Sequence, residues 1–136
     1  MANSTHSVLM VTQPGRIQEG MQAVLTGTFH FETIDRTQDG TSTMTHLETC
    51  PPDLVVLDAE LLNLNIPSIL RYVKTKRIRT RCLVLADTLE EVAAAQTAGA
   101  DSTLLKGFSA EDLFAVIQPL LDPNARKGAS ECSDSS

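Results

Sequence analysis

The sequence predicts an open three-layer α/β domain, a parallel sheet with helices on both faces. Short apolar runs alternate with helical stripes along the chain, the order that builds successive strand–helix–strand units. Three of the runs, Val8–Val11, Leu54–Leu57 and Cys82–Leu85, are continuously apolar rather than alternating. Strands of a parallel sheet covered on both sides read this way. The intervening loops are short, as such units require.

Taken in order, Val8–Val11 is the first strand, and "TQPG" leads into a helix striped by Ile17, Met21, Val24 and Leu25. A weaker second strand is expected over Phe29–Ile34. The helix at Thr41–Thr49 is the poorest, because its threonines lower helix propensity and its apolar face is thin. Leu54–Leu57 is the third strand. The next helix carries Ile66, Ile69, Leu70 and Val73, the spacing of one helical face. After the fourth strand, Cys82–Leu85, the alanines of "LEEVAAAQTAGAD" allow tight packing, and Gly99 terminates the helix. Thr103–Leu105 is the fifth strand. The last helix is introduced by "SAED", where Ser109 caps and Asp112 completes a capping box. Its Leu113, Phe114, Ile117, Leu120 and Leu121 form a stripe, of which Leu113, Phe114 and Ile117 are expected to face the core. Residues 6–121 are read as the domain and 122–136 as a flexible polar tail or the start of a linker.

Composition bounds the function. With 136 residues, 42% hydrophobic, the chain supports one domain burying roughly two-thirds of its unfolded surface. A formal net charge of −6 argues against non-specific attraction to DNA or anionic membranes. No stretch approaches the ~20 apolar residues of a membrane span, and "MANSTHS" lacks the pattern of a secretion signal. Cys50, Cys82 and Cys132 have no metal-like spacing and read as reduced, inert thiols of a cytoplasmic protein, with Cys82 buried.

Asp58, Asp87 and Lys106 stand at or just after strand ends, so the fold brings them to one edge of the sheet, where ligands bind in such proteins. An acid and an amine there can hold phosphate or a metal, or simply pair. Glycine-rich phosphate loops, zinc spacings and a Gly-x-Ser-x-Gly elbow are absent. His6, His30 and His46 are scattered and read as surface residues. "RYVKTKRIRTR" is a basic run containing Arg71, Lys74, Lys76, Arg77, Arg79 and Arg81. It is either a solvated helix end, where cations suit the dipole, or a docking patch for an acidic partner or phosphate. Neither a recognition helix nor an aromatic platform accompanies it, so direct nucleic-acid binding is not expected.

Through "VLMVTQPGRIQEGMQAVL", "PPDLVVLDAEL" and "CLVLADTLEEVAAAQTAGADSTLLKGFSAEDLFAVI", the sequence resembles the receiver domain of bacterial two-component response regulators over about residues 6–121. The resemblance implies a flavodoxin-like (βα)5 sandwich with a five-stranded parallel sheet of order 2-1-3-4-5. It also implies phosphoryl transfer from a histidine kinase onto an aspartate in the presence of Mg²⁺. Asp58 matches the phosphoacceptor and Lys106 the lysine that pairs with the phosphorylated aspartate.

The departures are as specific. Thr12 and Gln13 stand where the family keeps its metal-binding acids. Ala86 replaces the hydroxyl residue that meets the phosphoryl group, Thr103 replaces the aromatic switch, and the usual loop proline is absent from "DAELLNLN". Mg²⁺ prefers about six oxygens in octahedral array. Asp58, Glu60 (by its carbonyl, or a carboxylate reaching inward) and the Gln13 amide are the weak candidates left. Ala86 forgoes a charged hydrogen bond worth about 1–3 kcal/mol.

The expectation is therefore an atypical receiver, or pseudo-receiver. It would be cytoplasmic and non-enzymatic, an interaction module for a histidine kinase or a downstream signalling protein. No cofactor beyond weak Mg²⁺ is expected, and a homodimer is implied by the family alone. Two alternatives stay open, a weakly or conditionally active phosphoacceptor at Asp58 and a small-ligand sensor in the same crevice.

Overall fold

The computed structural model describes residues 7–121 apart from 14, 30, 32 and 62–64. The chain runs β1 (Ser7–Val11), α1 (Arg16–Val24), β2 (Thr33–Thr37), α2 (Gly40–Thr49), β3 (Leu54–Asp58), α3 (Ile66–Thr75), β4 (Arg81–Ala86), α4 (Leu89–Ala98), β5 (Ser102–Leu105) and α5 (Ala110–Leu120). His6, His30, Cys132 and the tail at 122–136 lie outside the described residues.

The strands form one parallel sheet in the order β2-β1-β3-β4-β5, as the resemblance implies. Because side chains alternate along a strand, the apolar runs divide between two cores. Leu9, Val11, Val55, Leu57 and Val84 face Leu47, Ile69, Leu70, Val73 and Ala95 from α2, α3 and α4. Val8, Met10, Val56, Leu83 and Leu85 face Met21 and Leu113 and Ile117 from α1 and α5. The continuous apolar strands are thus explained by cover on both faces.

Local chemistry sets most helix starts. The side chains of Asp39, Asn65, Thr88 and Ser109 accept from the amides of Ser42, Ser68, Glu91 and Asp112. At Ser109 the reciprocal bond from Asp112 completes the expected capping box. Gly99 closes α4 in a left-handed conformation, open to glycine at least cost. The entry to α1 is different. Gly15 adopts φ 151° and supplies no side-chain cap, so the turn after β1 depends on glycine.

Three expectations need correction. The second strand lies at Thr33–Thr37, not Phe29–Ile34, because residues 25–29 continue α1 as a wider π-type turn. Phe31 instead plugs the α1/α5 core. β2 pairs with β1 alone, at the sheet edge, and so tolerates the polar sequence "TIDRT". Phe114 is 37% exposed rather than facing the core. The buried stripe of α5 is Leu113 and Ile117, continued by Leu121 just past its end, and one residue further turns about 100° away from it. Cys50 is disulfide-bonded rather than a free thiol, while Cys82 is free and buried as expected. His46 stands at the surface, its side chain 37% exposed and its Nδ1 2.9 Å from the Ser42 carbonyl.

Candidate functional site

Three strand ends assemble the site. Asp58 is the last residue of β3, paired beside Leu85 of β4. Asp87 follows β4. Lys106 follows β5, and its amide donates to the Ala86 carbonyl at 2.8 Å. The amide of Ala59 donates to the Leu85 carbonyl at 2.9 Å, so the end of β4 fixes the backbone on both sides.

The side chains converge on the ammonium of Lys106. Its Nζ lies 2.8 Å from Asp58 Oδ1, 2.7 Å from Glu60 Oε1 and 3.6 Å from Asp87 Oδ1. Asp58 Oδ1 also accepts from the Glu60 amide at 2.9 Å. The Asp58 and Lys106 side chains are 6% and 12% exposed, whereas Glu60 is 57% exposed. Burial by itself would lower the Lys106 pKa. Hydrogen bonds to Asp58 and Glu60 and the charges of Asp58 and Asp87 outweigh it, and the pKa stands above its usual 10.5. The lysine is therefore a fixed cation at neutral pH.

The remaining sequence-derived positions frame this cluster without adding charge. Thr12 is fully buried, and its Oγ1 accepts from Gln18 Nε2 at 3.0 Å. Gln13 is exposed. Ala86 is fully buried at the end of β4. Thr103 Oγ1 takes a long contact of 3.5 Å from Gln96 Nε2.

Gln18 escaped the sequence reading, although a signal was present. It lies three and seven residues before Met21 and Leu25, on the same buried face. The contact from Glu60 to Lys106 escaped it too, because the sequence offers Glu60 only as a weak Mg²⁺ ligand and a carboxylate two residues past a strand end can point several ways.

Among the described residues no group of three His, Cys, Asp or Glu is placed to hold a metal ion. Asp58 and Glu60, the acids nearest the strand end, both bind Lys106, and the hydroxyl of Thr12 is tied to Gln18. The ammonium stands among the carboxylates where a divalent ion would seek them.

The basic run divides in two. Arg79 pairs with the buried Asp53, whose Oδ2 also accepts from the Ser7 amide at 2.8 Å. Arg81 lies 3.5 Å from Asp101, whose Oδ2 accepts from the Cys82 amide. Both pairs sit at the opposite edge of the sheet and bind strand starts together, so Arg79 and Arg81 drop out of the expected docking patch. Arg71, Lys74, Lys76 and Arg77 stay exposed. Arg71 and Lys74 line a groove of about 740 Å³ between α3 and α4, opposite Ala94 and Ala98.

A family model for response regulator receiver domains matches residues 8–118. Among curated proteins the chain is similar to the response regulator MprA of a Mycobacterium species, 29% identical over 116 residues, 84% of this chain and 50% of that protein. It is also similar to the Fimbriae Z protein of Salmonella typhimurium, 25% identical over 117 residues, 85% of this chain and 56% of that protein. It spans about half the length of the curated relatives it matches. A response regulator signal receiver domain from Bermanella marisrubri superposes with a TM-score of 0.75 at 21% identity, covering 88% of this chain and 100% of that one. The receiver domain of a sensor histidine kinase from Pseudomonas aeruginosa, solved with a magnesium ion in its active-site cleft, gives 0.74 at 19% identity over the same shares.

Proposed function

The chain belongs to the response regulator receiver family, and from that membership we propose that it serves phosphorelay signalling as a phosphorylation-independent interaction module. One observation carries this reading. Thr12, in the place of a metal-binding acid, is fully buried and bonded to Gln18, with neutral Gln13 beside it. A divalent ion would then compete with Lys106 for Asp58 and Glu60. Phosphoryl transfer depends on positioning and on neutralising the charge of the transferred group, and a single lysine already engaged by carboxylates supplies little of either. Ala86 contributes no hydroxyl and Thr103 no ring.

In this reading the folded surface itself is the signal. The partner is a histidine kinase or a downstream signalling protein, and the chain turns over no substrate. Self-association would draw on the α5 surface that carries the half-exposed Phe114. No helix among the described residues is long and apolar enough to cross a membrane. The test is exposure of the protein to a small phosphodonor with Mg²⁺, read by intact mass, beside a calorimetric Mg²⁺ titration. No added mass and no Mg²⁺ heat are expected. Label that appears on the chain and is lost in Asp58→Asn would overturn the proposal.

A second reading, a weak or conditional phosphoacceptor at Asp58, is favoured by one distance. Lys106 Nζ lies 2.8 Å from Asp58 Oδ1, a pairing suited to a phosphorylated aspartate. It predicts slow labelling on prolonged exposure in the same experiment.

A further inference from the structure

We propose that Glu60 is a built-in counter-anion that occupies the open side of Lys106, so that an outside oxyanion gains its full contact there only when Glu60 swings away. The inference rests on the reading of Lys106 as an anion-facing lysine, and it assigns the regulation of that site to a residue of this chain.

An ammonium carries three N–H donors and no acceptor. Here three carboxylates surround it, with Glu60 Oε1 nearest at 2.7 Å, Asp58 Oδ1 at 2.8 Å and Asp87 Oδ1 at 3.6 Å. Glu60 and Asp58 lie within hydrogen-bond distance and Asp87 does not, so an incoming oxyanion that takes more than one donor must displace Glu60 or Asp58. Asp58 is the least movable, being 6% exposed and held by the Glu60 amide. Asp87 is at the longest distance and contributes mainly charge. Glu60 is the movable member, because its side chain is 57% exposed and its carboxylate has no second partner among the described residues. Its backbone remains anchored to Asp58 when the side chain rotates, so opening need not disturb β3. A carboxylate bound to an ammonium presents the same charge-assisted contact that a phosphate oxygen would. Glu60 thus competes directly for the donors and repels any second anion that approaches.

The experiment titrates the full chain with inorganic phosphate and follows backbone amide shifts of residues 58–60, 86–87 and 106–107 by NMR. Wild type, Glu60→Gln and Glu60→Ala are compared, with Lys106→Met as the control. Both Glu60 variants are expected to bind about tenfold more tightly than wild type, as loss of one charge-assisted competitor implies, and Lys106→Met to lose binding. Equal affinities in wild type and both Glu60 variants, or no binding in any of them, would overturn the proposal. Glu60→Gln keeps the side-chain volume at an exposed position, and its far-ultraviolet circular dichroism should match wild type. The outcome is separable from the phosphodonor test. Labelling of wild-type Asp58 sinks the phosphorylation-independent reading, yet the variant-to-wild-type affinity ratio still decides the role of Glu60.

Discussion

Lys106 Nζ stands 2.8 Å from Asp58 Oδ1, with both side chains largely withdrawn from water. The pair links the end of β3 to the end of β5 across β4, and it is asymmetric. Lys106 faces three carboxylates, whereas among the described residues Lys106 is the cationic side chain against Asp58.

That asymmetry predicts unequal costs of mutation. Lys106→Met leaves three carboxylates facing one another without a cation and should cost about 3 kcal/mol. Asp58→Asn leaves Lys106 with Glu60 and Asp87 and should cost about 1 kcal/mol. Urea unfolding of the two variants measures both, and equal losses would refute the asymmetry. The pH dependence follows from the raised pKa of Lys106. Its stabilisation is fully present below the unfolded lysine value, about 10.4, and is lost only as pH rises through the higher folded value. The stability gap between wild type and Lys106→Met should therefore stay level from about pH 7 to pH 10.

Cys82 is the free buried thiol of β4, and burial with the nearby Asp101 charge pushes its pKa up to about 12. The unfolded chain begins to lose this proton near 9.0 while the folded chain keeps it. Stability should hold below that pH and fall as pH rises between the two values. At pH 8, reaction of Cys82 with a disulfide reagent should be slow in the native protein and fast in denaturant. Prompt native reaction would contradict the burial.

The division of the basic run predicts opposite outcomes for neighbouring residues. Asp53→Ala removes the carboxylate that Arg79 and the Ser7 amide share, and should cost about 3 kcal/mol or more. Arg71→Ala, at an exposed helix position, should change stability by no more than about 0.5 kcal/mol. Paired thermal melts check this.

Thr12 and Gln18 form a buried polar pair. Either single change, Thr12→Val or Gln18→Leu, strands the other polar group and should cost about 1–3 kcal/mol, while the double variant should recover much of that loss. A double-mutant cycle by chemical denaturation decides the point, and simple additivity would mean that the hydrogen bond contributes little.

By itself the sequence determined the layered α/β plan, four of the strands, the cap at Ser109 and the stop at Gly99, because periodicity and capping act over a few residues. It also placed Asp58, Asp87 and Lys106 at one edge, since strand ends in a parallel sheet share a side. Tertiary structure decided the rest. Whether Glu60 turns to Lys106, forty-six residues on, depends on how β5 lies beside β4. Arg79 and Arg81 read as part of a solvated basic run until Asp53 and Asp101 came beside them at the other edge. The polar second strand is tolerated because it lies at the margin of the sheet with β1 alone as its neighbour. Gln18 stood on an apolar stripe with no visible partner until the end of β1 brought Thr12 against it. In each case the deciding partner comes from another element, and a polar side chain takes its role from the charge or hydrogen-bond donor that folding sets beside it.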